Sequence, residues 1–380
     1  MKKVIIFRND LLLRSETFIK EQARFLHHWK PVLVGYDQVK DGLDPGSLEV
    51  KIIPGAAAKT FGRYALRLRQ MLGRPHQPTV EALRTIEAQL VHAHFGTDAT
   101  DVWPSVKALG LPMVVTLHGY DINIHRQWWE SGHGGIHRRA YPRRLLKMGQ
   151  EPAVHFIAVS HAIKRRAIQY GISEDKITVC YIGVDTERFK PGGLPLDQRG
   201  KRILFVGRMV EKKAPLLLIR AFAEVLKQVP DAELAMIGDG PLLQQAIQLA
   251  GALDVHVEFM GAQGSDVVLQ QLQLASVFCL PSIMAENGDA EGLPISIFEA
   301  VSCGVPVVTS ARGADEIINT YSVKIVNTRC MPEYLAKTIV DRLKIGCGTQ
   351  KEFAWRTLDI RFNSKKLESL YECMIRNITN

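Results

Sequence analysis

Glu291 and Glu299 lie eight positions apart in EGLPISIFEA, with a Gly-Leu-Pro turn signal directly after the first carboxylate. Eight residues is a little over two helical turns, so one continuous helix would carry both on nearby faces. The proline at 294 instead predicts a helix that begins between them. Glu291 then sits in the entering loop and Glu299 inside the helix, just before the apolar AVSCGVPVV. Carboxylates so placed can form an acid–base pair or hold two different groups of one ligand.

Other chemistry-bearing residues also cluster where apolar runs end. After RILFVG, Arg208 is followed five residues later by Lys213, and Ala-Pro then opens a helix. A guanidinium and an ammonium beside a helix N-terminus suit a diphosphate; the alternative is an exposed charged turn. After ELAMIG, GDGPLLQQA begins with Gly238 and resembles a dinucleotide loop. Leu243 breaks the GxGxxG spacing, and no GxxxxGK[ST] loop exists, so a Rossmann dehydrogenase and a P-loop NTPase lose their main support. His118 and Asp121 end the run MVVTLH, where a lone histidine is most often structural. Ser160, after HFIAVS, reads as a helix N-cap. His92 and His94 alternate along VHAHFG and share one face, as structural or cleft-lining side chains. No third ligand joins them. DATD (98–101) has the wrong spacing for a metal–nucleotide Asp-x-Asp, and GDAEG lies in a long loop, so no metal site is expected.

These loops need a frame. Short β-branched runs alternate with helical patterns along all 380 residues. The expected strands of the first half are 4–7, 31–35, 50–54, 90–95, 113–118, 155–160 and 176–182. Those of the second are 202–207, 233–238, 255–261, 276–281, 305–310 and 323–327. Apolar strands without a polar face belong to parallel sheets covered by helices. Two such series predict an α/β protein of two doubly wound, Rossmann-like domains. The boundary is expected within PGGLPLDQRGKR (191–202), giving domains 1–195 and 196–359, with a last helix at about 360–380 able to pack on either. Ligands of such sheets bind beyond the carboxyl ends of the strands, which predicts a site in a cleft between the two.

The short apolar run of MKKVIIFRND reads as a first strand rather than a leader, and no run approaches the roughly 20 residues of a bilayer span. The six cysteines include no CxxC and mostly sit in apolar runs, as reduced buried thiols do. Net charge is +9, but residues 1–190 hold 28 Lys and Arg against 18 Asp and Glu, while the rest hold 20 against 21. That asymmetry points to an anionic partner for the first half or to a merely solvated surface. Within 60–74, Phe61, Tyr64, Leu68, Met71 and Leu72 fall on one helical face and Arg63, Arg67 and Arg74 off it. The apolar face either packs on the core, its ordinary use, or meets a membrane surface.

Taken in order from about 90 to 310, VHAHFG, TLHGYD, AVSHAIK, IGVDTERFKP, FVGRMVEKKAP, MIGDGPLL, FMGAQ, LPS, EGLPISIFEA and GVPVVTS resemble the retaining glycosyltransferases of family 4, glycosyl transferases group 1. The resemblance implies a GT-B fold, with two Rossmann-like domains facing a deep cleft. It implies that Glu299 holds the ribose hydroxyls of a nucleotide and Glu291 the 3- or 4-hydroxyl side of the donor sugar. Arg208 and Lys213 match the diphosphate pair, and His118 the histidine near the sugar. Gly238, Ala262 and Gln263 fall on the nucleotide side. Gly292 opens the turn before Leu293 and Ile295, whose backbone N–H groups face phosphate or sugar; Pro294 has none. The group implied for catalysis is His118, Arg208, Lys213 and Glu291. They would stabilise a departing nucleoside diphosphate without a metal, and Glu291 would bind substrate rather than form a covalent bond.

Where many members carry a glycine pair after the first strand, this chain has RNDLLLRSETFIKEQ. SETF resembles members that assemble bacterial capsule and exopolysaccharide. Ser15 reads as an N-cap, with Glu16 and Thr17 in the first turn; Glu16 can bind an acceptor hydroxyl or only complement the helix dipole. Ser15, Glu16, Thr17, His94, Asp121 and Ser160 are the acceptor-side candidates. The implied reaction moves a hexose from a UDP- or GDP-sugar to a glycan, typically lipid-linked, with no cofactor. Its implied place is the cytoplasm, peripheral on the inner face of the membrane through the basic first domain. A sugar-nucleotide 2-epimerase on the same architecture is the alternative; a phosphorylase lacks a pyridoxal-lysine context. A nucleic-acid binder, suggested only by charge, lacks RNP-like aromatics and a helix-turn-helix, so no nucleic-acid partner is expected.

Overall fold

Residues 4–7, VIIF, are apolar at every position, so neither face of that strand can be left to water. In the computed structural model, which describes residues 1–40, 42–54, 61–192, 194–314, 316, 323–325, 331–345 and 355–379, this run is central. It lies in β1 (Lys2–Phe7), between β3 (Trp29–Gly35) and β6 (Leu90–His94). Beyond them lie β5 (Glu49–Ile52) on one side and β7 (Met113–Leu117), β8 (Val154–Ala158) and β9 (Ile177–Val179) on the other. The seven strands are parallel, in the order β5-β3-β1-β6-β7-β8-β9. Two very short strands, β2 (Asp10–Leu11) and β4 (Asp37–Gln38), pair beside this sheet.

The second sheet repeats the plan. Its strands are β10 (Arg202–Val206), β11 (Glu233–Ile237), β12 (Val257–Gly261), β13 (Val277–Leu280), β14 (Val307–Thr309) and β15 (Val323–Ile325). They run parallel in the order β12-β11-β10-β13-β14-β15. Every run expected as a strand contains one. Counting within each sheet, both follow the doubly wound order 3-2-1-4-5-6, to which the first adds a seventh strand, and the order reverses beside the first strand. The switch points are therefore β1/β6 and β10/β13.

The chain divides into two compact units, Met1–Ile182 with Ile360–Asn380, and Gly183–Asp359. The long helix Ile360–Thr379 belongs to the first. Leu367, Tyr371 and Met374 join a core with Trp29, Val114, Ile157 and Cys180, and the Tyr371 ring stands edge-on to Trp29 at 5.3 Å. Glu368 accepts hydrogen bonds from the backbone N–H groups of His27 and His28. Cys180, Cys279 and Cys303 are buried free thiols.

Two local expectations need correction. The helix after β1 is Thr17–Arg24, and its N-cap is Glu16 without a side-chain cap, not Ser15, which is exposed. The Glu16 carboxylate is drawn instead to Arg8. In the helix Phe61–Met71, it is Leu66 and Gln70 that are buried. Phe61, Tyr64 and Leu68 are 88%, 66% and 57% exposed, and Met71 and Leu72 are exposed as well. The apolar face expected to pack on the core is turned to solvent.

Candidate functional site

Residues converge in the second unit where the strand order reverses. β10 ends at Val206, and the Gly207 N–H donates to the Ile237 carbonyl of β11 at 3.0 Å. A Cβ at Gly238 would lie 1.9 Å from the Gly207 carbonyl oxygen, and Gly238 has φ +142°, so glycine alone fits. Its N–H donates to Gly261 O at 2.8 Å, which draws in the loop carrying Ala262 and Gln263, both exposed. Arg208 is exposed at the end of β10. A single turn, Glu211–Lys213, follows, and Ala214, at φ +51°, leads into the helix Pro215–Leu226.

That turn meets the loop that follows β13. Lys213 Nζ lies 3.1 Å from Glu291 Oε2. Lys212 Nζ lies 3.1 Å from Asp289 Oδ1 and 3.5 Å from Glu291 Oε1. Burial would raise the Glu291 pKa, but Lys213 and Lys212 together outweigh it and hold the carboxyl below its usual range. Lys213 is pulled down, because burial exceeds what Glu291 returns. Lys212 is held up: burial opposes its charge, and Glu291 and Asp289 jointly prevail.

The helix expected to begin between the two glutamates spans Ile295–Ser302, with Pro294 at its N-cap and no side-chain cap. A Cβ on Gly313 would lie 2.0 Å from the Gly292 carbonyl, so that close approach fixes the turn before Leu293. Glu299 sits in the second turn, and burial pushes its carboxyl up to about 7 against the opposing pull of Arg188. The structure thus brings Lys213 and Glu291 into contact and sets Glu299 on the helix that Glu291 precedes.

In the first unit, Arg8 follows β1 directly. Its guanidinium grips Glu16 through Nη2 (2.6 Å to Oε1) and Nε (3.0 Å to Oε2), and Nη1 donates to Asp98. Burial works against its charge, but Asp98 and Glu16 outweigh it and raise its pKa. Asn9 donates to Asp98 from its backbone at 2.7 Å and to Asp101 from its side chain at 3.1 Å. DATD therefore supplies anchors for the chain leaving β1. Sequence reasoning missed these partners; the signal was two aspartates three apart, on one face of the helix Gly96–Ala108.

His118 Nε2 and His94 Nδ1 are 3.0 Å apart, so one ring nitrogen donates and the other accepts. Burial foremost, then neighbouring positive groups, push both well below the usual histidine range, which leaves both imidazoles neutral at neutral pH. His92 is held between Tyr371 (2.6 Å) and Thr116 (2.7 Å). Phe95, at φ +69°, lies under Arg8 and against His118, with centroid distances of 4.3 and 4.4 Å.

Two acceptor-side candidates have structural employment. Asp121 is fully buried and accepts from the N–H groups of His118, Gly119 and Gly96 at 3.1, 2.9 and 2.8 Å. Ser160 caps the helix His161–Tyr170, accepting from Ile163 N at 3.2 Å. Thr17, at the helix start, is half-buried.

Residues 40–188 match the model of Glycosyltransferase Family 4, and residues 200–344 that of glycosyl transferases group 1. The chain belongs to glycosyltransferase family 4. Its fold is GT-B: it superposes on Anabaena Alr3699/HepE, crystallised with UDP and glucose, with a TM-score of 0.70 and 18% identity over 100% of this chain and 98% of that one. Among curated family relatives, the amylovoran biosynthesis glycosyltransferase AmsK of Erwinia amylovora is 29% identical over 70% of this chain and 64% of its own. A GDP-mannose-dependent alpha-(1-6)-phosphatidylinositol monomannoside mannosyltransferase of Mycolicibacterium smegmatis is 35% identical over 34% of this chain and 37% of its own. The chain thus spans less than two thirds of the length of these two relatives. Among the described residues, no helix is long and apolar enough to cross a membrane, and no three His, Cys, Asp or Glu side chains are grouped to hold a metal ion.

Proposed function

We propose that this family 4 protein transfers a hexose, with retention of anomeric configuration, from a UDP- or GDP-linked donor to a glycan acceptor in exopolysaccharide or capsule assembly. The observation that carries the reading is the pairing of Lys213 with Glu291 at the β10/β13 switch point, ahead of the helix that holds Glu299. Glu299 would take the ribose hydroxyls and Glu291 the sugar. Arg208, Lys213 and the uncapped N-terminus of Ile295–Ser302 would meet the diphosphate between them. Breaking the bond from anomeric carbon to phosphate leaves an anion beside an oxocarbenium-like sugar, and the fixed cations favour that separation. His118, neutral in its buried setting, would act on the sugar side of the reaction.

The relatives support the components separately: HepE was crystallised with UDP and glucose, AmsK carries amylovoran biosynthesis in its name, and the mycobacterial mannosyltransferase takes a GDP-mannose donor and a glycolipid acceptor. Incubation with a panel of nucleotide sugars should release one nucleoside diphosphate, in EDTA as well as without it. The product anomer should match the donor by proton NMR. No release from any donor, an inverted anomer, or activity abolished by EDTA would each overturn the corresponding clause.

For the acceptor side we propose a lipid-linked glycan reached at an anionic membrane surface. Phe61, Tyr64, Leu68, Met71 and Leu72 form an exposed apolar face flanked by the exposed Arg67, Arg69 and Arg74. Arg144 fastens this helix to the neighbouring turn by donating to Gln70 O and His137 O, and Ile136 in that turn is 70% exposed. An apolar face with cationic flanks suits the interface of an anionic bilayer. The protein should sediment with phosphatidylglycerol vesicles and not with phosphatidylcholine ones, and Leu68→Glu should abolish this. Equal binding to both vesicle types would remove the charge component.

A further inference from the structure

In the second unit, the loop after β13 carries Glu291 but has no regular structure of its own between Pro281 and Pro294. It is fastened to Lys212 twice. The Ile283 N–H donates to the Lys212 carbonyl at 2.9 Å, and Lys212 Nζ donates to Asp289 Oδ1 at 3.1 Å. Ala285 N–H returns to the Asp289 carbonyl at 2.8 Å, and Asp289 N–H is held by Asn287 Oδ1 at 2.9 Å. Glu286 N–H reaches Glu211, one residue before Lys212, at 3.3 Å.

Two ammonium groups face two carboxylates in this cluster, and Glu291 is shared by both lysines. A diphosphate arriving at Lys213 competes for that lysine. Glu291, whose side chain is only 12% exposed, would then depend on the remaining cation. A buried carboxylate stripped of its cations is strongly disfavoured and would move or take up a proton. Lys212 is held by Asp289 and approaches Oε1 of Glu291, whereas Lys213 approaches Oε2. Glu291 Oε1 is buried and accepts no hydrogen bond among the described residues, the Lys212 ammonium being 3.5 Å away, so it is the oxygen left for a ligand hydroxyl.

We propose that Lys212 and Asp289 are positioning residues. They keep Glu291 ionised and aimed at the donor sugar after Lys213 has turned to the diphosphate. This rests on the donor reading above, and the experiment separates the two. Lys212→Met, Lys212→Arg and Asp289→Asn are compared with the unaltered protein in kcat and KM for the active nucleotide sugar. UDP and GDP binding is measured in parallel by calorimetry, because neither has a sugar for Glu291 to hold.

Lys212→Met should lower kcat about 100-fold, the scale of an ångström-sized misplacement. Its nucleoside diphosphate affinity should stay within about twofold, which marks a loss confined to the sugar. Lys212→Arg, which keeps the charge, should recover most of kcat. Full kcat in Lys212→Met overturns the proposal, and so does loss of diphosphate affinity in step with kcat, which would make Lys212 a phosphate ligand. Should Lys212→Met fail to fold, Asp289→Asn decides: reduced kcat with intact diphosphate binding supports the role, and unchanged kcat defeats it. Absence of nucleoside diphosphate release in the unaltered protein overturns the donor reading and this role together, whereas fully active variants overturn this role alone.

Discussion

The two sheets share one strand order, and each places an arginine just past its first strand: Arg8 after β1 and Arg208 after β10. Their fates differ. Arg8 is buried, held by Glu16 and Asp98, and covered by Phe95. Arg208 is exposed, and in the turn that follows it Lys212 and Lys213, three and two residues before the helix starts, share Glu291. The segments leaving the strands of both switch points also hold non-glycine residues at positive φ, Leu12 and Phe95 in the first and Ala214 in the second. Like topology creates a place for charge in both units. In the first that place is filled by the protein's own counter-ions; in the second Arg208 stays exposed while the two lysines are paired, and the proposed diphosphate would meet that arginine.

The sharpest way to break this comparison is to remove a counter-ion from the filled site. Asp98→Ala leaves Arg8 with Glu16 and removes the acceptor of two hydrogen bonds that Asn9 donates. Breaking a buried charge pair from one side costs about 3–5 kcal/mol. Four of the five tryptophans (29, 103, 128 and 129) lie in the first unit, so denaturant unfolding followed by tryptophan fluorescence should register that loss. An unchanged transition would mean that Arg8 is not a structural keystone. Arg208→Ala should give the opposite pattern, with stability within about 0.5 kcal/mol of the unaltered protein, as for other surface substitutions. Its turnover should fall roughly 10²–10³-fold, as when one preorganised charge stabiliser is lost. Full turnover would remove Arg208 from the diphosphate site.

The difference also explains what the sequence could disclose. Strand runs were legible because a strand buried on both faces must be apolar throughout, and the helix start at Pro294 was legible because proline tolerates the first turn. Gly238 stood out as a turn, though not the contact with Gly207 that requires it. Ion partners were harder. Glu16, read as a first-turn acid, pairs with Arg8 eight residues earlier and shares it with Asp98, ninety residues on; such pairing depends on which strand lies beside β1. Asp121 and Ser160 were legible as polar groups at strand ends, but an aspartate bonded to three backbone N–H groups looks the same in sequence as one awaiting a ligand. The segment 61–72 misled in the other direction, because periodicity reveals an apolar face without saying whether protein or another surface covers it.

Glu299 tests the open site most finely. Unlike Glu16, which a guanidinium holds through two bonds, Glu299 accepts no side-chain hydrogen bond among the described residues, and burial lifts it to about 7. A carboxyl raised in the folded state keeps a proton that the unfolded chain releases. Its contribution to stability is therefore present below the ordinary value of 4.5 and falls away as pH rises toward 7. Ligand binding should run the other way, since ribose hydroxyls donate to the ionised form. With a free-state value near 7, about nine-tenths of the sites are protonated at pH 6, so nucleoside diphosphate affinity should be roughly tenfold weaker there than at pH 8. The nucleotide's own phosphate titrates in the same range, and Glu299→Gln removes only the protein's share. Calorimetry at pH 6, 7 and 8 should give a shallower slope for the variant, with weaker binding at pH 8 and a gap that narrows toward pH 6. Parallel slopes would show that the ribose does not rest on this carboxylate, and the contrast between the filled and open switch points would then rest on Arg208, Lys213 and Glu291 alone.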